Sequence, residues 1–285
     1  MAAFTSFSLN FHSASARFPF IFDGKPVASI GNKPAPSCLV SGREAGDMVF
    51  RQPNRNRENF FRSQGMPVER VYSLRQIHSC DVFTLGSPGN TMPDTLPLPD
   101  NFAREGDGMV SFSGEIFLAV TVADCLPVFL LDTENGYFAL LHSGWKGTGI
   151  AANALEIMHK AGSKPEAIAA VLGPCIQGCC YRVDQQRAEN FDAMFGSANY
   201  GSENFPLGDV IRKDDSGWYI NLQAANAKML VSMGVRHIAY CTDCTFTDTR
   251  LGSFRREGAE AYTRMVAVAG VMNFGTMLKS ACQLP

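Results

Sequence analysis

Three apolar runs follow one another in the middle of the chain, Ile116 to Val122, Leu126 to Leu131 and Tyr137 to His142, and they limit most strongly what it can fold into. Each is short, rich in Val, Leu, Ile and Phe, and separated from the next only by Asp124-Cys125 or by the turn-forming stretch Thr133 to Gly136. Such spacing predicts successive buried strands rather than a helix. A membrane-spanning helix is excluded here as well. The most apolar segment, Ile116 to Asp132, carries Asp124 and Pro127 and is too short to cross a bilayer.

Around this centre the pattern alternates. Ile150 to Ala161 reads as a helix ended by Gly162, and Ala167 to Leu172 as a strand. Asp184 to Phe195 reads as a helix, Trp218 to Leu222 as a strand, Gln223 to Met233 as a helix, and His237 to Cys241 and Tyr262 to Val271 as strands. Upstream, Phe18 to Phe22 and Val27 to Ile30 flank Asp23-Gly24-Lys25 as a hairpin. Gly31 to Asn56, rich in Pro, Gly, Asn and Arg, reads as a long surface loop before a helix near Glu58. Val71 to Ile77 and Asp81 to Leu85 look extended, and Gly86 to Asn101 is a connection. There is no tandem repeat.

Composition narrows the functional classes. Hydrophobic residues make up 46% of the chain and charged ones only 18%, so a large core is available and disorder is disfavoured. A formal charge of -2 and the lack of a long Lys/Arg run give nucleic acid no electrostatic footprint. Nine cysteines without an export signal in Met1 to Phe20 fit free thiols in a reducing cytoplasm.

The residues able to do chemistry cluster at strand ends. His78 and His142 each close an extended apolar run where a loop begins, a placement that suits a ligand and equally a packed structural histidine. Cys125 follows Asp124 at the break between two strands, where it is either a thiolate pointing out of the sheet or a buried inert thiol. The three match no local metal signature and would meet only through the fold. Cys241-Thr242-Asp243-Cys244 has a gap used by zinc and redox motifs, whereas Cys175, Cys179 and Cys180 are spaced differently and lie far from it.

Seven motifs recur in order: Gln76-Ile77-His78, Gly106-Asp107-Gly108-Met109-Val110, Thr121-Val122-Ala123-Asp124-Cys125-Leu126-Pro127-Val128, His142-Ser143-Gly144-Trp145-Lys146-Gly147, Gly173-Pro174 through Cys179-Cys180-Tyr181, Cys244-Thr245, and Ser253-Phe254-Arg255-Arg256. Together they resemble the laccase-domain (YfiH-like) family, known both as multicopper polyphenol oxidoreductases and as purine nucleoside phosphorylases. The resemblance runs from about Val71 to Val271, while a Thr-Arg-Gly-Gly-type segment is not recognisable between Ile30 and Asn56, and Thr263 stands where Gly is usual before Arg264.

The resemblance implies a single α+β domain over residues 1–285, with 1–56 more divergent, in which mixed β-sheets pack as a sandwich with flanking helices. It implies a metal held by His78, Cys125 and His142, zinc first and copper as the alternative, with an open coordination position. The activity implied is phosphorolysis of adenosine, inosine, guanosine and methylthioadenosine together with adenosine deamination. Cys125 and Asp124 are the catalytic candidates, and Arg255 and Arg256 the candidates for holding phosphate. Asp124 reads either as a proton-transfer or outer positioning residue or as a turn residue. Asp107 and Tyr181 border the pocket without an assigned role. Expected partners are a small nucleoside and phosphate, with no nucleic acid and no membrane, acting on a cytoplasmic monomer. Two other enzyme classes share these residues: a copper-dependent polyphenol oxidase, for which two usable histidines are few, and a cysteine amidohydrolase editing peptidoglycan precursors, in which Cys125 would be the nucleophile. A non-catalytic interaction domain would give no reason for an Asp-Cys pair and two histidines at strand ends.

Overall fold

The central runs form strands Phe117–Val122, Leu126–Asp132 and Phe138–Ser143, but they do not all lie side by side. The computed structural model describes residues 2–50, 53–89, 104–200 and 205–272. Leu126–Asp132 pairs antiparallel with Phe138–Ser143 inside a seven-stranded sheet, whereas Phe117–Val122 belongs to a six-stranded sheet, antiparallel to Met265–Gly270. The corner at Ala123 to Cys125 therefore carries the chain from one sheet to the other.

These runs are uniformly apolar because both faces of each strand are covered. On Leu126–Asp132, Val128 and Leu130 point toward the helices Ile150–Lys160, Gln185–Phe195 and Leu222–Ser232, while Phe129 and Leu131 point into the space between the sheets. Leu118, Val120, Ala267 and Ala269 meet them there from the six-stranded sheet. The outer face of that sheet packs Ala119, Val266 and Val268 against Phe60 and Phe61 of the helix Arg55–Ser63. The result is an α+β fold with mixed parallel and antiparallel sheets, layered helix, sheet, sheet, helices.

Helix boundaries follow their caps. Asp184 and Asn221 accept the backbone N–H groups of Arg187 and Ala224, closing the starts of two helices, and Asn54 does the same for Arg57. Gly162, at φ 99°, follows the end of the Ile150–Lys160 helix as expected.

The N-terminal third differs from its sequence reading. Gly31 to Asn56 is not a surface loop throughout, because Ser37–Ser41 is a wholly buried strand between Ser15–Phe18 and Met265–Gly270. Its Ser-Cys-Leu-Val-Ser sequence is buried on both faces and so shows no alternation, and the prolines beside it conceal it. Likewise Phe18 ends a strand of the six-stranded sheet. The hairpin about Asp23-Gly24 is confined to Ile21–Phe22 and Lys25–Pro26. Ala3–Phe7 adds parallel to His237–Cys241 at the edge of the other sheet, so residues before 42 are woven into both sheets. Val71 to Ile77 is a strand only at Val71–Tyr72, and most of the expected connection Gly86 to Asn101 lies outside the described residues. No described helix is long and apolar enough to cross a membrane.

Candidate metal centre

Sheet register assembles the centre. In the Leu126–Asp132 and Phe138–Ser143 pair, Leu126 faces Ser143, so Cys125 and Gly144 stand opposite each other one step beyond the paired ends. Gly108 faces Leu141 on the other side of the same strand, which puts Asp107 opposite His142. The His142 N–H donates to the Asp107 carbonyl at 2.7 Å, and the His142 Nδ1 meets Asp107 Oδ1 at 2.7 Å. Both side chains are buried.

His78 arrives on a loop held by two side chains. Gln76 is locked against the Phe117–Val122 strand, its Nε2 donating to the Thr121 carbonyl at 2.8 Å and its Oε1 accepting the Thr121 N–H at 2.7 Å. Asp107 then accepts the consecutive backbone N–H groups of Ile77, His78 and Ser79 at 3.1, 3.0 and 2.7 Å. Those bonds hold His78 at φ 61°, a left-handed conformation that costs a non-glycine residue about 1–3 kcal/mol. Asp107 thus aims both histidines. Burial alone would raise its carboxyl, but His142 and the amides of Ser79 and Ile77 outweigh burial and hold it below the usual carboxylate range.

The ligand atoms of His78, Cys125 and His142 all lie within 4.8 Å of one another, and the two imidazoles meet edge to face with ring centroids 4.9 Å apart. Two neutral imidazoles and a thiolate are a donor set that zinc favours, at bond lengths of about 2.0–2.3 Å. The set is complete on the protein side. Burial pushes the Cys125 thiol up, yet the charge of His142 and hydrogen bonds from His142 and His78 more than offset it and bring the thiol down to about 6. Burial likewise pushes His142 down, but Cys125 and Asp107 raise it to about 9. Without an ion the pair is therefore thiolate and imidazolium. With an ion bound, Asp107 accepts the Nδ1 proton and leaves the other ring nitrogen free to coordinate.

Two glycines make room for this arrangement. A Cβ on Gly144 would stand 3.0 Å from His78 Cδ2 and 3.1 Å from Cys125 Sγ, and one on Gly147 would stand 2.5 Å from the Ser79 carbonyl oxygen. The spacing His142-Ser143-Gly144-Trp145-Lys146-Gly147 is thus the footprint of the His78 loop crossing the end of the strand.

The other expected site residues divide. Asp124, at φ 85°, accepts the Thr245 hydroxyl at 2.6 Å and the Arg255 backbone N–H at 2.6 Å. Both carboxylate oxygens are thereby occupied in pinning the sheet-to-sheet corner, which suits a positioning residue better than a proton carrier. The two arginines sit on a short helix, Phe254–Glu257, capped by Ser253. Arg256 is committed to the loop: its guanidinium donates to the carbonyls of Thr245, Phe246, Asp248 and Leu251 and to the Glu257 carboxylate. Arg255 remains exposed, bonded to the Arg182 carbonyl and lying 5.4 Å from the Tyr181 ring centroid.

Asp107 and Tyr181, expected only to border the pocket, take definite places here, and Trp145 joins Tyr181 in an aromatic rim. Arg187 stacks 4.6 Å from the Trp145 centroid, beside Lys146 at 5.5 Å. Tyr181 is shielded by burial and electrostatically close to Cys125, Arg255 and Arg187. The Cys175–Cys180 and Cys241–Cys244 segments do meet, through an isolated parallel β-bridge between the backbones of Cys175 and Cys244, but only His78, Cys125 and His142 form a metal-capable group among the described residues. A cleft of about 260 Å³ lined by Leu155, His159, Ser163 and Met233 lies at the other end of the Ile150–Lys160 helix and shares no residue with the centre.

Fold and site place the chain among known proteins. Residues 41–272 match the family described as multi-copper polyphenol oxidoreductase laccase, and the chain belongs to that family. Among its relatives is a purine nucleoside phosphorylase of Corynebacterium glutamicum, 30% identical over 218 residues that cover 75% of this chain and 81% of the relative. Another is an adenosine deaminase from an unknown prokaryotic organism, 30% identical over 199 residues covering 65% of this chain and 71% of the relative. The crystal structure of YlmD from Geobacillus stearothermophilus shares the fold, with a TM-score of 0.72, 23% identity and coverage of 92% of this chain and 98% of that one.

Proposed function

We propose that this protein is a purine nucleoside phosphorylase, acting on adenosine, inosine, guanosine and methylthioadenosine, and that the same centre deaminates adenosine. The observation that carries the reading is the convergence of His78, Cys125 and His142, with Asp107 bonded to His142 and to the His78 backbone. The names of the relatives supply the substrate class.

Zinc is the ion this donor set suits, and when bound it supplies a Lewis acid that brings the pKa of water to about 7. The chain's own groups do the rest. Asp107 fixes the tautomer and direction of His142 and keeps His78 in its left-handed turn. Cys125 supplies a thiolate and so lowers the net charge of the centre. Trp145 and Tyr181 offer flat faces for a purine, and Arg255 and Arg187 place positive charge at the same rim, where phosphate would meet the ribose. Asp124 holds the Cys125 corner and, through the Arg255 amide, the start of the arginine helix.

A second reading is favoured by one observation, the Cys125 thiol set beside His142, whose mutual electrostatics lower the thiol and raise the imidazole as a cysteine amidohydrolase would need. Incubation with adenosine, with and without phosphate, separates the two when adenine, inosine and ribose 1-phosphate are followed by chromatography. Phosphate-dependent adenine and phosphate-independent inosine, both absent in Cys125→Ala, are expected. Turnover equal to that variant's would end the proposal.

A further inference from the structure

The centre leaves a second group of sulfurs unused. Cys179 and Cys180 are adjacent, both free thiols, with Sγ atoms 3.4 Å apart, and Cys179 is exposed. They lie in a tight turn in which the N–H groups of Cys180 and Tyr181 both donate to the Gln177 carbonyl, at 2.8 and 2.9 Å. Behind them the Cys244 thiol accepts the Gln177 N–H at 3.4 Å, and the backbones of Cys175 and Cys244, both free thiols, pair in an isolated parallel β-bridge. Burial, and after it the neighbouring Cys179 thiol, push Cys180 up to about 12, so it stays protonated at neutral pH.

We propose that Cys179 and Cys180 form a reversible redox site whose reactant is a hydroperoxide. The exposed member reacts first. The Cys179 thiolate attacks the outer oxygen of ROOH, the O–O bond breaks, and sulfur becomes S–OH while ROH leaves with the thiol's proton. The Cys180 thiol then attacks that sulfur, an S–S bond forms, the S–O bond breaks, and hydroxide departs with the Cys180 proton as water. Two thiols lose two electrons and two protons, and the hydroperoxide is reduced to an alcohol and water. Adjacent Cα atoms stand about 3.8 Å apart across a trans peptide, less than the about 4.4 Å minimum usual in disulfides, so the bond is strained and a dithiol reductant reopens it. The site is independent of the nucleoside reading. It also adjoins the rim, since Tyr181 is the next residue and lies by Arg255.

The test uses the zinc-supplied full chain treated with hydrogen peroxide and read by tryptic peptide mass spectrometry, in which Arg182 and Lys146 place Cys125 in a different peptide from Cys179 and Cys180. Loss of two hydrogen atoms from the Cys179–Cys180 peptide, reversed by dithiothreitol and retained in Cys244→Ser, is expected. Cys179→Ser abolishes it, and Cys180→Ser instead accumulates a dimedone adduct on Cys179. The proposal is overturned by no two-hydrogen loss in the wild type, by its persistence in Cys179→Ser, by a cross-link from Cys180 to Cys244 in its place, or by no dimedone adduct in Cys180→Ser.

Discussion

A carboxylate that takes up three consecutive backbone amides and one imidazole N–H leaves little tolerance for an amide in its place. In Asp107→Asn the side-chain nitrogen must replace either the oxygen that meets His142 and the His78 N–H or the one that meets the Ile77 and Ser79 N–H groups, and so faces backbone donors in both orientations. We expect metal affinity to fall about 10–100-fold, measured by chelator competition. Unchanged affinity would remove Asp107 from the centre. Gly144→Ala tests the same cradle from the opposite side: the added methyl group contacts both His78 and Cys125, so bound metal is lost while the far-ultraviolet circular dichroism stays that of the wild type.

The metal-free pair also sets a pH signature at this scale. Cys125 is depressed to about 6, so its stabilisation is complete above the unfolded thiol value and is lost as pH falls through 6. His142 is raised to about 9, so its stabilisation is complete below the unfolded imidazole value and is lost as pH rises through 9. Between those limits the two slopes oppose each other. The melting temperature of metal-free wild type minus that of metal-free Cys125→Ser should therefore rise slightly as pH climbs from about 6 to 6.5 and stay flat above it. A difference that changes steadily above that point would refute the pairing.

At the scale of elements, the strands and helices of the second half were legible because their apolar periods and caps agree. Asp184 stands where a helix start is expected and Gly162 where a helix should end, whereas Asn221 caps a helix that begins inside the expected strand Trp218 to Leu222. Ser37–Ser41 was not legible, because a short strand buried on both faces carries no alternation and its neighbours are turn formers. The site was legible in the same uneven way. His78, Cys125 and His142 stand at the ends of apolar runs and Asp107 lies in a Gly-Asp-Gly motif, but its bond to His142 depends on a cross-strand register that no local pattern reveals. The hydrogen bonds of Arg256 go to loop carbonyls, which leave no mark in the sequence pattern. Removing the cap in Asn221→Ala should cost about 1 kcal/mol or somewhat more, because the side chain also donates to the Leu207 carbonyl. Phe129→Ala, fully buried between the sheets, should cost about 3–5 kcal/mol. Both are read from urea unfolding midpoints, and equal costs would contradict the layered packing.

For the whole molecule, the two sheets act as one instrument for bringing remote segments to a point. The Phe117–Val122 strand holds Gln76 and hence His78. The seven-stranded sheet presents Cys125 and His142 at adjacent strand ends, and the Cys244–Arg256 segment closes over Asp124. The proposed function of that convergence is to bind an ion. Metal analysis of the purified, zinc-supplied full chain and of His142→Ala measures it most directly. We predict about one zinc per chain in the wild type and none retained in the variant after dialysis. Stoichiometric metal in His142→Ala, or none in the wild type, would contradict it.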